Sequence, residues 1–269
     1  MIWSVVSKEE MKFCTSSPTF MDYSRAIGED KVKLAVVEES DALEFVTPND
    51  IVLLRTASQD LVNAIKERGA CTTAEEYQTY RLASDKFALT NKLLSLGVKM
   101  APLYSLEDVV EGKTYFVKPR FGNDSNVSSS NICKTKAEMV NKIEQIKTMF
   151  GQDSIICDYL CGKEYTVSCV RVGSDVHAYP IDINDSSKKL GCNIKNSLRA
   201  EAVKICDKLG ILHHARIDFC SDANGRIFAI DVNLIPSIGQ DGKWAKCFNL
   251  AGFSYRESIE SLIRTSTKL

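Results

Sequence analysis

The first 80 residues alternate short apolar runs with segments whose apolar residues recur at helical spacing. Ile2–Val6, Lys33–Val37 and Asp50–Arg55 are short and rich in β-branched residues, as buried strands are. After Ser58, a favourable N-cap residue, apolar side chains follow a helical spacing until Gly69 ends the pattern. Strands that alternate with helices predict a small parallel sheet with helical crossovers.

Further along the chain, residues that can cap a helix mark where helices begin. Thr73–Glu76 and Thr135–Glu138 both have the Thr-x-x-Glu pattern of a capping box, and each predicts a helix start. Apolar spacing predicts further helices over Ser84–Gly97 and Ser197–Leu209. The polar, lysine-bearing segment Asn184–Asn196 predicts a loop before the last of these helices.

Two strands within residues 215–233 alternate polar and apolar side chains. On the first strand Arg216 and Asp218 share one face, because side chains on a strand alternate with period two. On the second strand Asp231 and Asn233 share a face in the same way. The pattern predicts a hairpin with one apolar side and one side that collects charged and amide groups.

The turn of this hairpin decides which polar residues meet. A two- or four-residue turn centred on residues 223–224 brings Asp218 opposite Ala229, on the face that carries Asp231 and Asn233. Two carboxylates and an amide are the oxygen ligands that Mg²⁺ takes, and Mg²⁺ in turn bridges to phosphates. The alternative is a solvated sheet face, on which charged residues also alternate.

Composition and charge narrow the class of protein. Hydrophobic residues make up 44% of the 269 residues, and the net charge of −1 gives no basic field for nucleic acid or an anionic membrane. No apolar run approaches the roughly 18–20 residues of a membrane span, and the N-terminus lacks a signal-peptide pattern. We therefore expect a cytoplasmic protein that binds neither nucleic acid nor a membrane.

Cysteine and histidine residues give no sign of a metal site. The ten cysteines form no CxxC pair, so we expect reduced thiols that act as small buried hydrophobic residues. His177, His213 and His214 lack the spacing of metal ligands, and we interpret them as structural.

Three further charged residues suggest a phosphate or nucleotide site. Lys118 ends an apolar strand just before Pro119 and the polar loop Gly122–Ser130, where it can reach a phosphate. Lys86 lies in the first turn of a helix, a position that the helix dipole makes unfavourable for a cation. Glu164 opens a strand, where its carboxylate can accept ribose hydroxyls. Taken singly, each is equally explained as an ordinary surface charge.

Five short motifs follow one another in a fixed order between residues 84 and 255. They are Asp85-Lys86, Val117-Lys118-Pro119, Asp158 to Glu164, Arg216-Ile217-Asp218 and Asp231-Val232-Asn233. In this order they resemble the ATP-grasp superfamily, in particular the D-alanine–D-alanine ligases and the amino-acid ligases akin to the ribosomal-protein glutamate ligase. The resemblance implies the ATP-grasp fold, of the α/β plus α+β class. It implies an N-terminal parallel α/β domain over residues 1–82, followed by two α+β subdomains that clasp the nucleotide, over residues 83–160 and 161–269.

The resemblance also implies a nucleotide site. By analogy with the family, Lys86 and Lys118 hold the phosphates of ATP. Asp158, Tyr159 and Leu160 form the hinge that reads adenine, largely through backbone groups.

A metal site is implied on the same ground. By the same analogy Glu164 binds the ribose hydroxyls. Asp218, Asp231 and Asn233 hold two Mg²⁺ ions, with Mn²⁺ as the alternative metal. The family normally has Glu where this chain has Asp231, and the side chain is shorter by about 1.5 Å, one carbon–carbon bond.

The reaction implied by the resemblance joins a carboxylate to an amine through an acyl phosphate, with release of ADP and phosphate. Arg216, Ser125 and Lys118 are the expected catalytic residues, and amino acids or a peptide are the expected substrates. The loop around Ser125 has Asp124 and Val127 where glycine is common in the family. Relatives are commonly dimers, which makes a homodimer the expected assembly. Two other functions stay open: a regulatory nucleotide-binding protein without turnover, and a carboxylate–thiol ligase.

Overall fold

The computed structural model describes residues 1–7, 17–38, 43–122, 129–185 and 189–266. The chain divides into two compact units, each assembled from separate stretches of sequence. Unit 1 comprises residues 1–80, 165–217 and 233–269, and unit 2 comprises residues 81–164 and 218–232. The domain boundaries expected from the sequence, at 82/83 and 160/161, lie close to two points where the chain leaves one unit and enters the other, after residues 80 and 164. The division into three domains stays a prediction. No described helix is both long and apolar enough to cross a membrane.

Unit 1 contains a four-stranded sheet in the order β2-β1-β3-β4. Its strands are β1 (Ile2–Ser7), β2 (Val32–Val37), β3 (Ile51–Leu54) and β4 (Cys71–Thr72), and the helices between them are α1 (Ser17–Ile27) and α2 (Gln59–Glu67). Strand β1 pairs in parallel with both β2 and β3, and β3 pairs in parallel with β4. The predicted parallel sheet with helical crossovers is confirmed.

Helix α2 shows why this part of the sequence folds as predicted. The Ser58 hydroxyl accepts a hydrogen bond from the Leu61 N–H at 3.3 Å and so caps the helix. Leu61 and Ile65 are buried in a core with Val5 and Val52 of the sheet. Each such side chain contributes about 1.5–3 kcal/mol by leaving water.

Unit 2 contains an antiparallel sheet in the order β5-β8-β6-β7. Its strands are β5 (Leu103–Tyr104), β6 (Tyr115–Pro119), β7 (Ile132–Cys133) and β8 (Ser154–Asp158), and its helices include α4 (Lys86–Ser95) and α5 (Lys136–Phe150). Before them, α3 (Tyr77–Ser84) crosses the boundary between the units in sequence.

The second capping box, at the start of α5, is confirmed in full. The Thr135 hydroxyl accepts from the Glu138 N–H at 3.2 Å, and the Glu138 carboxylate accepts from the Thr135 N–H at 3.1 Å. Met139 and Ile146 then face the core of unit 2.

A third sheet has the order β10-β9-β11-β12. Its strands are β9 (Glu164–Val172), β10 (Asp175–Asp182), β11 (His214–Ser221) and β12 (Ile227–Asn233). In unit 1, α6 (Cys192–Leu209) packs against β10, and α7 (Lys243–Leu250) packs against α8 (Tyr255–Arg264). These strands bear out the predicted hairpin and carry five of the eleven predicted site residues, namely Glu164, Arg216, Asp218, Asp231 and Asn233.

Three boundaries expected from the sequence differ in the structure. The helix expected to begin at Thr73–Glu76 begins instead at Tyr77. Glu76, the carboxylate that would complete the capping box, pairs with Lys66 at 2.6 Å, and Glu75 accepts hydrogen bonds from three backbone N–H groups of unit 1. The loop expected over 184–196 is shorter, since α6 already begins at Cys192. The helix expected over Ser84–Gly97 is confirmed as α4 with shorter bounds, since Asp85 is its N-cap residue and the helix runs from Lys86 to Ser95.

The expectation of buried, reduced thiols is only partly met. None of the nine cysteines among the described residues forms a disulfide with another of them, and most are buried. Cys161 and Cys192 are exposed, however, and Cys71 is half-buried. These three thiols therefore do not act as small hydrophobic residues of a core, while the buried ones do.

Candidate active site

Lys118 lies in the sheet of unit 2, one residue before the end of β6. Its side chain is only 7% exposed, and its Nζ donates to the Ile230 carbonyl on β12 at 3.1 Å. The ammonium therefore lies beside the backbone next to Asp231. The alternative of a solvated lysine on a surface loop does not fit this burial.

Lys86 is the second buried lysine of unit 2, at 4% exposure. It is the first residue of α4, and its Nζ contacts the Gly122 carbonyl. Its backbone N–H donates to the Arg120 carbonyl at 3.0 Å. The first turn of α4 is thus fastened to the segment that follows Lys118 in sequence.

Asp218 and Asp231 are the two carboxylates of unit 2 that the sequence assigns to metal ions. They are 6% and 7% exposed, respectively, so the alternative of a solvated sheet face does not hold for them. Both take part in polar interactions within the protein. Two buried carboxylates are expensive in free energy unless charges of opposite sign compensate them, and the buried Lys118 donates to the carbonyl of Ile230, the residue before Asp231.

The turn between β11 and β12 differs from the two- or four-residue turn expected. The Asp222 N–H donates to the Arg226 carbonyl at 2.9 Å, which leaves three residues in the loop, with Gly225 at φ 76°. Gly225 takes this left-handed conformation without the penalty that a side chain would impose. The predicted pairing of Asp218 with Ala229 lies four residues before this pair on β11 and stays a prediction, as does the face shared by Asp218 and Asp231.

Arg216 and Asn233 belong to unit 1. Arg216 lies two residues before Asp218 on β11 and is half-buried. The Asn233 side-chain oxygen accepts a hydrogen bond from the Ile235 N–H at 2.9 Å, which fixes the amide at the end of β12. An amide oxygen has two lone pairs, so one is left for another partner.

The predicted adenine hinge follows β8 in unit 2. The N–H groups of Asp158 and Tyr159 donate at 3.3 Å to the Pro102 and Thr114 carbonyls, respectively. No described residue accepts a hydrogen bond from the Leu160 N–H. Within the described residues the hinge thus has one backbone donor without an acceptor, while the two residues before it are held by the protein.

Side chains around the hinge hold it as well. The Asp158 carboxylate pairs with Lys113, whose Nζ also donates to the Tyr104 hydroxyl at 2.8 Å. Burial works against the charge of Lys113, but these hydrogen bonds raise its pKa. The Asp158 carboxylate is therefore engaged with the protein. Tyr159 stacks on Phe116, with ring centroids 6.4 Å apart.

Gly162 and Glu164 complete the hinge motif. The Gly162 N–H donates to the Ser221 carbonyl at 2.9 Å, and a Cβ at this position would clash with Ser221. Glycine is needed here so that the segment can lie against the end of β11. Glu164 is exposed at the start of β9, as a group that meets a ligand would be.

Ser125, Asp124 and Val127 lie outside the described residues, so the expectations about that loop stay predictions. The sequence offered Arg120 only as a residue that could steer an anionic substrate. It did not predict the two hydrogen bonds that Arg120 donates to Asp85, nor the pair of Lys113 with Asp158. These partners are 35 and 45 residues apart, and no spacing rule within a helix or strand connects residues so distant. A search for motifs finds the residues expected to bind ligands, but it does not find the residues that hold them in place.

Two expectations about a metal can be compared with the described residues. No group of three or more His, Cys, Asp or Glu side chains is assembled as a metal site there. The predicted ligand set contains only two carboxylates, with an amide as the third ligand. His213 Nδ1 contacts the Thr265 carbonyl at 2.9 Å, and His214 is buried edge-on to Trp244, in keeping with structural roles.

A large part of the chain matches a known protein family. Residues 107–264, more than half of the chain, match the model of the family described as D-ala D-ala ligase C-terminus. The chain belongs to this family. The matched stretch includes Lys118, the hinge and both strands of the hairpin, while Lys86 lies before it.

Curated relatives are D-alanine–D-alanine ligases. The chain is similar to the enzyme of Pediococcus pentosaceus, with 22% identity over 77% of this chain and 64% of that protein. It is also similar to the D-alanine–D-alanine ligase A of Bacillus cereus, with 24% identity over 57% of this chain and 54% of that protein. The matches thus span between about half and two thirds of the length of these relatives.

Solved structures of D-alanine ligases share the fold. The D-alanine–D-alanine ligase from Bacillus anthracis, complexed with ATP, has a TM-score of 0.75 at 17% identity and covers 98% of this chain and 96% of its own. The VanG D-Ala:D-Ser ligase from Enterococcus faecalis has a TM-score of 0.75 at 14% identity, with 99% of each chain covered. At such identities the likeness shows the fold alone, and the predicted ATP-grasp fold is confirmed.

Proposed function

We propose that this protein is an ATP-dependent ligase that joins the carboxylate of one amino acid to the amine of another. The observation that carries the proposal is the burial in unit 2 of two lysines and two carboxylates, Lys86, Lys118, Asp218 and Asp231. Buried charges of both signs are costly for stability, so their presence suits a site that handles a charged ligand. Membership of the D-ala D-ala ligase C-terminus family supports the same reaction.

In the proposed nucleotide site, Lys86 and Lys118 bind the phosphates of ATP. The Leu160 N–H donates to the adenine ring, the Asp158 carbonyl accepts from it, and Glu164 accepts hydrogen bonds from the ribose hydroxyls. The relative from Bacillus anthracis was solved with ATP, in keeping with this assignment.

Asp218, Asp231 and Asn233 fit Mg²⁺ by their chemistry, since all three offer oxygen ligands and two are buried carboxylates. When bound there, Mg²⁺ neutralises phosphate charge. The protein itself contributes by holding the carboxylates on β11 and β12 and by keeping Asn233 fixed through the Ile235 N–H. Asp231 provides less reach than Glu, which favours weak retention of a second ion.

The reaction proposed has two steps. A substrate carboxylate oxygen attacks the γ-phosphorus of ATP, the bond to the bridging oxygen breaks, and ADP leaves. The amine then attacks the acyl carbon, loses a proton and expels phosphate. Lys118 and Arg216 stabilise charge as it builds on the phosphoryl and acyl oxygens, and Ser125 is the proposed third catalytic residue.

A screen of ADP release tests the proposal. Purified protein is incubated with ATP, Mg²⁺ and pairs of amino acids, including D-amino acids because the relatives are D-alanine ligases. We expect ADP release that requires both an acid and an amine, and a product whose mass equals the two substrates less one water. ADP release that is absent under every mixture would contradict the proposal.

One observation favours a second function, that of a nucleotide-binding protein without turnover. Asp231 is shorter than the family's usual glutamate, and a weakly held metal would slow phosphoryl transfer without abolishing nucleotide binding. Binding of ATP with no ADP release under any mixture would support this second function. A homodimer and a cytoplasmic location are likewise proposed from the resemblance.

A further inference from the structure

Asp85 and Arg120 form a two-point ion pair next to the predicted phosphate-binding lysines. Arg120 donates from Nε to Asp85 Oδ1 at 2.8 Å and from Nη2 to Asp85 Oδ2 at 2.6 Å. This parallel geometry is the strong, orientation-specific form of an arginine–carboxylate contact. The hydrogen bonds from Arg120 also hold the pKa of Asp85 below its usual value, so the carboxylate is charged at neutral pH.

The same carboxylate caps the helix that carries Lys86. Asp85 Oδ1 accepts from the N–H groups of Phe87 and Ala88, each at 3.1 Å. Asp85 thus determines where α4 begins and therefore where the adjoining Lys86 lies. An ordinary N-cap needs only one oxygen for this purpose, and here the carboxylate also receives the guanidinium.

Arg120 in turn fixes the chain just after Lys118. Its N–H donates to the Asp153 carbonyl at 2.9 Å, and its carbonyl accepts from the Lys86 N–H at 3.0 Å. The Phe87 and Phe121 rings lie 5.3 and 5.2 Å from its guanidinium carbon, at distances typical of cation–π contacts. One arginine thus connects the end of β6 with the start of α4.

We propose that the Arg120–Asp85 pair is a positioning device that sets the two phosphate-binding lysines relative to one another. The proposal rests on the proposed function, in which Lys86 and Lys118 bind ATP. Lys86 directly follows Asp85, and Lys118 lies two residues before Arg120. Asp85 accepts from the N–H groups that follow Lys86, and the Arg120 carbonyl accepts from the N–H of Lys86 itself. Because the guanidinium is occupied by Asp85, Arg120 acts through the lysines and not as a phosphate ligand.

Position matters because a displaced ammonium loses the alignment that phosphoryl transfer needs. A misplacement of about 1 Å can cost about 100-fold in rate. We therefore expect Arg120→Ala to lower kcat/KM for ATP by roughly 10- to 100-fold and to weaken ATP binding. KM for the acid and amine substrates should stay within about twofold of the parent value.

The test uses the full chain and two readouts, direct ATP binding with Mg²⁺ and steady-state kinetics for each substrate. Arg120→Lys keeps the charge but loses the second hydrogen bond, and we expect partial rescue. Asp85→Asn keeps an N-cap residue but loses the charge, and we expect a loss similar to that of Arg120→Ala. Arg256→Ala removes a surface arginine paired with Glu260 on α8 and serves as the matched control.

A double-variant comparison distinguishes a positioning unit from two independent effects. If the pair acts as one unit, Asp85→Asn combined with Arg120→Ala should cost little more than either change alone. Additive losses would overturn the proposal. So would unchanged ATP binding and turnover in Arg120→Ala, or a lowered melting temperature with normal ATP binding, which indicates a merely structural role.

Lys86→Ala separates failure of this proposal from failure of the proposed function. If Lys86→Ala weakens ATP binding and Arg120→Ala does not, only the positioning role is wrong. If neither variant alters ATP binding, or the parent protein binds no ATP, the nucleotide site itself is wrong and the positioning role falls with it. Should Arg120→Ala fail to fold, Arg120→Lys and Asp85→Asn give the same decision.

Discussion

At the scale of single residues, Lys118 and Asp218 are the sharpest test of the site. Lys118→Ala removes a buried ammonium and Asp218→Asn removes a buried carboxylate charge. We expect each to reduce ADP release by at least about 100-fold, in the range of losses seen when a single preorganised group that stabilises a transition state is removed. Circular dichroism checks that the fold survives.

Matched controls for these two variants come from surface charges. Lys142→Ala removes a lysine on α5 whose Nζ donates to the Ser130 hydroxyl. Asp207→Asn removes the charge of an exposed carboxylate on α6 that pairs with Arg171 of β9. Both should keep close to the parent rate of ADP release. Normal turnover in Lys118→Ala or Asp218→Asn, with the true substrates, would show that the site is assigned wrongly.

Asp231 raises a question of reach that one substitution answers. Asp231→Glu adds about 1.5 Å and restores the residue that the family normally has. We expect the Mg²⁺ concentration for half-maximal rate to fall several-fold, because oxygen ligands of adequate reach hold the ion more tightly. An unchanged or higher Mg²⁺ requirement would indicate that the backbone of β12 already compensates for the shorter side chain.

Glu75 is a buried carboxylate outside the proposed site. Burial raises its pKa to about 7, against the opposing effect of hydrogen bonds from Leu212, His213 and His214 at 2.7 to 3.1 Å. The folded protein thus binds this proton more tightly than the unfolded chain does. The contribution of Glu75 to stability is therefore greatest below about pH 4.5 and declines as the pH rises to about 7.

Glu75→Gln isolates this effect. The difference in unfolding free energy between parent and variant should shift by up to about 3 kcal/mol between pH 4.5 and pH 7.5, to the disadvantage of the parent. Chemical denaturation at several pH values measures it. A difference that does not change with pH would show that Glu75 titrates normally.

At the scale of elements, local signals predict helix starts well when nothing distant competes. Thr135 and Glu138 cap α5 as the sequence indicates, because both side chains have only the helix terminus to bond. The same pattern at Thr73–Glu76 fails, because Glu76 pairs with Lys66 and Glu75 accepts hydrogen bonds from three backbone donors more than 130 residues away. A tertiary contact of this kind overrides the local preference.

The α5 capping box has a measurable contribution to stability. Thr135→Ala leaves the Glu138 N–H without its side-chain acceptor, and we expect a loss of about 1 kcal/mol in unfolding free energy. Thr135→Ser should recover most of it, since its hydroxyl can accept the same bond. A loss equally large in Thr135→Ser would point to the methyl group and not to the cap.

At the scale of the whole molecule, the order of motifs predicted the fold, and distant pairs escaped prediction. Lys86, Lys118 and Glu164 stand in the sequence in the order that the ATP-grasp family requires, and the fold is the one expected. The Arg120–Asp85 pair and the three-residue turn at Asp222 were not foreseen. The ion pair joins residues from two elements that come together only in the folded chain. The turn has three residues, and its sequence does not distinguish this length from two or four.

The stability of the whole protein offers a way to measure ligand binding without turnover. A ligand that binds only the folded chain stabilises it by about 2.7 kcal/mol when present at 100 times its dissociation constant. For a chain of this size that corresponds to a rise in melting temperature of roughly 5–10 °C. We expect such a rise with ATP and Mg²⁺ together and a smaller one with ATP and a chelator, because the buried carboxylates favour a nucleotide whose charge is already neutralised.

Lys118→Ala should abolish most of this rise in melting temperature, while Lys142→Ala should keep it. An equal shift in Lys118→Ala would show that ATP stabilises the protein from a site other than the one built around Lys118, whether or not the protein turns ATP over.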